Sequence, residues 1–188
     1  MYRIGNLLLL LLILYAIPAE SQDIIVGVKA GIGNVKFQNQ NTSAILKGNT
    51  VTRAGISLAF CPYFSKMFIV SGAEFESSKI GNFISVPLGI RLAFGEKVKP
   101  FFEFGGYYSF ALNSKIDKYL LKNNAGARVG LGIEYALDKR TRLEIGYFQR
   151  FSLNPAIEEE IELPANQYAY DGYLMRGGNL EIGVKYRF

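Results

Sequence analysis

The chain has 188 residues, about one domain's length. It carries 21 Lys+Arg against 16 Asp+Glu, a formal net charge of +5, and is 49% hydrophobic with 20% charged residues, which is not the balance of a disordered chain. Histidine is absent and cysteine occurs once, which excludes an imidazole base, a His-ligated zinc, a Ser-His-Asp triad, an internal disulfide and a Cys-cluster metal site.

Arg3 precedes an apolar run from Leu7 to Ile17, and Ala19-Glu20-Ser21 supplies a small-x-small cleavage pattern. The run is too short to cross a bilayer as a helix, which needs roughly twenty residues. The pattern predicts a Sec signal peptide over 1–21 and a mature domain over 22–188 that works outside the cytoplasm. Cys61 is far from the cleavage site, which argues against a lipoprotein signal.

Period-two alternation dominates the rest and predicts eight strands. In chain order they are Ile24–Phe37, Thr50–Phe60, Met67–Ser77, Asn82–Phe94, Pro100–Phe110, Asn124–Tyr135, Arg142–Ser152 and Gly177–Phe188. The connections Cys61–Lys66, Gly95–Lys99 and Ala136–Thr141 are short, whereas Leu153–Arg176 is expected to be a long loop. Strand lengths of about nine to thirteen residues, with short turns at one end and longer loops at the other, suit a meandering outer-membrane barrel.

Each strand sorts into two faces. One is apolar, as in Ile24, Val26, Val28, Ala30 and Ile32, or Leu180, Ile182, Val184, Tyr186 and Phe188. The other holds the strand charges: Lys29, Arg53, Glu74, Glu76, Arg91, Glu103, Arg128, Glu134, Arg142, Glu144, Arg150, Glu181, Lys185 and Arg187. Most strand glycines share this charged face, among them Gly31, Gly55, Gly89, Gly130, Gly132 and Gly146; Gly106 breaks the rule. Glycines on a solvated exterior would weaken strands for no steric reason, whereas an eight-stranded lumen is only just wide enough for side chains. The charges and glycines are therefore expected to face inward and the apolar residues to face lipid. The predicted fold is all-β: an eight-stranded antiparallel up-and-down transmembrane β-barrel of OmpA/OmpX-like architecture. Aromatics near strand ends suggest two interfacial girdles: Phe60, Tyr63, Phe64, Phe94, Phe102, Tyr135, Tyr186 and Phe188 at the periplasmic end, and Phe37, Phe75, Phe83, Tyr108, Phe110 and Phe151 at the outer end.

Three segments resemble the PorT-like small outer-membrane β-barrel proteins of the Bacteroidota. Phe83-Ile84-Ser85-Val86-Pro87-Leu88-Gly89 resembles that family's strand with proline before an apolar pair. Gly72-Ala73-Glu74-Phe75 and Gly130-Leu131-Gly132-Ile133-Glu134-Tyr135 resemble its Gly-x-Glu-aromatic pattern. The end, Gly183-Val184-Lys185-Tyr186-Arg187-Phe188, is similar to the C-terminal signal read by the outer-membrane assembly machinery, carried by Val184, Tyr186 and Phe188. The resemblance implies an outer-membrane location, no catalytic residues and, for PorT itself, an accessory role in type IX secretion and gliding.

Two candidate sites follow. Lys29, Arg53, Glu74, Glu76, Arg91, Glu103, Arg128, Glu134, Glu144, Arg150, Glu181 and Lys185 are expected to form a lumenal network that plugs the barrel, since buried charges must pair. Glu158, Glu159, Glu160, Glu162, Tyr168, Tyr170 and Tyr173 fall in the long outer loop and are expected at the surface, where they would meet a protein partner. Lys115, Lys118 and Lys122 mark a basic outer loop. The expected protein is a non-enzymatic, monomeric outer-membrane barrel with structural or interaction roles. It has no cofactor and no metal, and its partners are membrane lipid, the assembly machinery and a surface or secretion-system protein rather than nucleic acid. A PorT-type secretion accessory, a small pore or ligand-binding barrel, and a lipocalin-like soluble binder are the alternatives.

Overall fold

The computed structural model describes residues 23–39, 45–61, 66–115, 119–163 and 167–188. The predicted export signal, Tyr63, Phe64 and Lys118 lie outside the described residues. Ten strands run in chain order: β1 Asp23–Asn39, β2 Ile45–Cys61, β3 Met67–Ser78, β4 Gly81–Ala93, β5 Val98–Ser114, β6 Tyr119–Leu121, β7 Asn124–Ala136, β8 Thr141–Ser152, β9 Ile157–Leu163 and β10 Gln167–Arg187.

All pairings are antiparallel, in the order β1-β2-β3-β4-β5-β7-β8-β10, and β10 pairs back onto β1 from Ile25↔Arg187 to Asn39↔Tyr173. Eight strands thus close on themselves and leave no edge in the membrane zone, so the ladder satisfies backbone groups that lipid cannot. β6 and β9 lie outside the barrel proper and extend the sheet from the upper half of β10. The segment expected as one long loop is therefore largely strand. Ile157, Ile161 and Leu163 share one strand parity, but Glu159 interrupts it, and the dense negative charge obscured the period.

The turns explain the meander. Gly95, at φ 105°, occupies a conformation that side chains rarely adopt and turns β4 into β5. Asp138 caps the β7–β8 turn by accepting the N–H groups of Arg140 at 2.6 Å and Thr141 at 2.7 Å. The adjacent Arg140 and Thr141 N–H groups hold the Asp138 carboxyl below its ordinary range. Ser78 Oγ accepts the Ile80 and Gly81 N–H groups at 3.2 and 3.3 Å in the tight β3–β4 turn.

The outward face carries the apolar belt: Val28, Ile32, Ile56, Leu88, Leu131, Ile145 and Ile182 are all exposed. Ser71 donates to the carbonyl of Pro87 at 3.0 Å, at a place where the proline has no N–H for the β3–β4 ladder. Gly106 points outward as well, between Phe104 and Tyr108. Two of the expected girdle aromatics do not: Phe37 and Phe83 are buried in the interior. Both share the parity of the charged face, whereas Lys36 and Ile84 take the outward positions beside them.

Candidate functional site

The inward residues of the eight barrel strands form three layers. An apolar cluster of Ile25, Ala59, Cys61, Phe68, Val70, Ala93, Phe101 and Phe148 lies toward the end where both described termini meet. A second cluster of Val35, Phe37, Val51, Ile80, Tyr107, Ala156, Ile157, Tyr173 and Met175 closes the opposite end. The charges fill the space between.

The charges divide into two storeys. Toward the short turns, Arg91 on β4 contacts Glu103 at 2.6 Å and Glu134 at 2.8 Å, and also Glu144. Lys185 joins Glu134 at 2.7 Å and contacts Glu144, and Arg142 lies 3.3 Å from Glu134. Toward the other end, Glu74 on β3 contacts Arg128 at 2.6 Å together with Arg150 and Lys29. Glu76 bridges Arg150 and Arg53, the latter at 3.2 Å, and Glu181 lies 3.2 Å from both Lys29 and Arg128. Arg128 Nε is 3.4 Å from Glu103 and links the storeys. All twelve charges expected in the lumenal network are thus placed inside and Arg142 joins them; all but Lys29, which is half-buried, are buried, whereas Arg187, which shares their strand parity, is only partly buried at the end of the barrel.

Uncharged groups complete the network. Asn179 accepts from Arg53 and donates to Glu181 at 2.5 Å. Ser85 donates to Glu76, accepts from Arg150 at 3.2 Å and lies 2.5 Å from Ser109 Oγ. Three of the lumenal guanidiniums also stack on rings: Arg91 on Phe101 and Arg128 on Phe148, each at 4.0 Å, and Arg150 on Tyr107 at 4.9 Å.

These rings account for several glycines. Phe101 is the cross-strand partner of Gly132, Tyr107 of Gly126 and Phe148 of Gly130. A Cβ at Gly132 would stand 2.6 Å from Phe101 Cζ, one at Gly126 would stand 2.5 Å from Tyr107 Cε1, and one at Gly130 would enter the Phe148 ring. Ring over glycine, with guanidinium over ring, is the repeated unit of this lumen. The glycines make room chiefly for inward aromatics, not only for the long charged side chains the face-sorting suggested. The signal was present in the parity of Phe101, Tyr107 and Phe148 with their neighbouring charges. Small voids lie among the interior side chains: one lined by Ile25, Ser57, Val70, Arg91, Glu103 and Lys185 has a volume of about 20 Å³, and one lined by Val35, Phe37, Glu76 and Met175 about 10 Å³. About 10–15 Å³ is needed for a single water.

The expected surface set is divided. Tyr173 is buried at 7% exposure in the outer apolar cluster, which corrects its assignment to the surface. Its register opposite Asn39 gives it the inward parity of Met175. Glu158 is half-exposed and lies 3.1 Å from Lys122. The backbones of Glu159, Glu160, Glu162, Tyr168 and Tyr170 pair between β9 and β10, and their side chains lie outside the described residues. Val184, Tyr186 and Phe188 face outward at the end of the chain.

A closed eight-stranded antiparallel barrel of this kind has counterparts among known proteins. The family model described as "Outer membrane protein beta-barrel domain" matches residues 7–188. The chain belongs to this family. As an outer-membrane barrel it is similar to Neisserial surface protein A, at 16% identity and a TM-score of 0.56, with 87% of this chain and 97% of that one covered. It is also similar to the outer-membrane protein AlkL, at 13% identity and a TM-score of 0.57 over 91% of this chain and 94% of that one. The N-terminal β-barrel domain of OprF from Pseudomonas aeruginosa matches at 14% identity and a TM-score of 0.51, over 85% and 97%. Identities this low show a shared fold. No curated protein sequence matches the chain. In outer-membrane barrels the short turns face the periplasm and the longer connections face out. This barrel's periplasmic end is therefore the one holding Gly95 and Asp138, and its outer end carries β6 and β9.

Proposed function

We propose that this barrel is a non-enzymatic, non-conducting outer-membrane protein that acts through its outer end and its lipid-facing surface. The observation that carries the reading is the lumen: its charges are mutually paired and, but for half-buried Lys29, buried, an apolar cluster lies at each end, and the voids among its side chains measure about 20 and 10 Å³. A conducting barrel needs a continuous aqueous path, which is the property of much larger strand numbers. The chain also carries no histidine, so its lumenal carboxylates, each engaged with a cation, have no imidazole partner for catalysis. Residues 1–21 would serve as the Sec export signal, and Val184, Tyr186 and Phe188 as the segment read by the assembly machinery. A PorT-type secretion role rests on the strand motifs, and normal export of type IX cargo in a deletion strain would remove it. The main test is conductance: folded protein in a planar bilayer is expected to give no discrete steps, and reproducible single-channel steps would overturn the sealed lumen.

A further inference from the structure

The outward face of the barrel is not uniform around its circumference. On β1 and β10 the outward aliphatic rows stop at Ile32 and Leu180, and on β8 the row is interrupted after Tyr147 and resumes only at Phe151, the cross-strand partner of Arg176. The next outward row, toward the outer end, is polar or bare: Asn34 is opposite Gly178, and Gly178 is opposite Gln149. Above that row, Lys36 and Arg176 are direct cross-strand partners, and both are exposed. At about 3.3 Å per residue they sit roughly 13 Å along the strand from Ile32, less after strand tilt. That height is where an apolar belt gives way to headgroups.

Two cations directly opposite each other on a sheet are destabilising unless something neutralises them. The lumen solves the same problem with carboxylates. Lys36 and Arg176 have no acidic partner among the described residues. The β1–β2 register also shifts between Val35 and Phe37, so Lys36 has no Cα partner on β2. Such irregularities re-aim side chains and are frequent beside binding sites. Below the pair, the Tyr147 hydroxyl lies over Gly178, where a Cβ would collide with it and stand 2.9 Å from Gln149 Oε1, so the glycine lets the Tyr147 and Gln149 side chains lie flat against the sheet as a polar floor. Tyr147 donates to that oxygen at 3.1 Å, which leaves the Gln149 amide N–H groups available. Asn34 adds a further exposed amide on the other side of the glycine.

We propose that Lys36 and Arg176, with the amides of Asn34 and Gln149, form a binding ledge for a phosphate group of an outer-leaflet lipid. Arg176 supplies a planar fork suited to a phosphate and Lys36 a point charge, while the row beneath accepts the acyl chains. The lipid is a phosphorylated glycolipid of the outer leaflet, because the ledge lies at the outer interface and faces sideways into the membrane rather than into water.

The test uses the folded full-length barrel in phosphatidylcholine nanodiscs. Retained lipid is measured by native mass spectrometry after adding bisphosphorylated lipid A or its dephosphorylated form. Wild type is expected to favour the phosphorylated lipid about tenfold or more, and Lys36→Gln with Arg176→Gln to abolish the preference. Lys36→Arg is expected to keep it, and Lys97→Gln at the opposite rim to leave it unchanged. Heat-modified gel migration verifies folding of each variant. Equal retention of the two lipids by wild type, or an unchanged preference in the double variant, would overturn the ledge. Full competition by millimolar inorganic phosphate would overturn the lipid as its source.

Discussion

The two storeys of the lumen have opposite polarity. In the periplasmic storey a cation, Arg91, is ringed by Glu103, Glu134 and Glu144. In the outer storey an anion, Glu74, is ringed by Lys29, Arg128 and Arg150. Each storey also places like charges directly opposite each other on β7 and β8: Glu134 faces Glu144, and Arg128 faces Arg150. Neighbouring strands alone would make these pairs repulsive. The hubs that neutralise them come from β4 and β3, neither of which pairs with β7 or β8: β3 lies opposite β8 in the ring, and β5 separates β4 from β7. The difference between the storeys lies in what supports the ring of like charges if its hub is lost. The arginines of the outer storey also stack on Phe148 and Tyr107 and reach Glu76 and Glu181. The carboxylates of the periplasmic storey have fewer alternative partners, Lys185 and Arg142 being the principal ones.

The largest effect should therefore come from Arg91→Ala. It removes the guanidinium that three buried carboxylates share and leaves them with fewer cations than charges, and a loss on the order of 3–5 kcal/mol is expected in urea unfolding of the lipid-embedded barrel. Glu74→Gln should cost less, toward the lower end of about 3 kcal/mol, because its cations keep other partners. The reverse ranking would break the comparison. Next in size is Gly130→Ala, whose added Cβ enters the Phe148 ring and should cost about 1–3 kcal/mol. Pairing it with Phe148→Leu should recover part of that loss in a double-mutant cycle, and strict additivity would show that the ring and the glycine are not coupled. The smallest effect lies outside the lumen, at Asp138→Asn in the exposed turn. The native carboxyl titrates below its ordinary value, so its ionised form stabilises the turn above the unfolded pKa and that contribution is lost as pH falls through the native pKa. Wild type should exceed the variant slightly at neutral pH, with the gap closing in acid; a gap independent of pH would exclude the charged cap.

Much of this was legible along the chain. Alternation at period two, with Lys29, Glu74, Arg91 and Glu181 on the glycine-bearing face, was enough to point the charges inward, because only a narrow lumen has a steric use for those glycines. The inward rings were equally present in the parity of Phe101, Tyr107 and Phe148, yet aromatics also suit a lipid face, and composition does not separate the two uses. Phe37, Phe83 and Tyr173 show the same ambiguity: each sits near a strand end, where an aromatic fits either a girdle or an end cluster. The β9–β10 hairpin was hidden because a run of glutamates normally reads as a solvated loop.

Local sequence determined the strands, their two faces and the outward row that carries Lys36, since side-chain direction in a strand follows from position alone. Ring closure determined the rest. Which carboxylate meets which guanidinium depends on β3 and β4 lying across from β7 and β8. The cation pair of Lys36 and Arg176 exists only because the first strand pairs with the last. Both contacts join residues far apart in the chain, and no local propensity specifies them; they are set by the register in which eight tilted strands complete a cylinder.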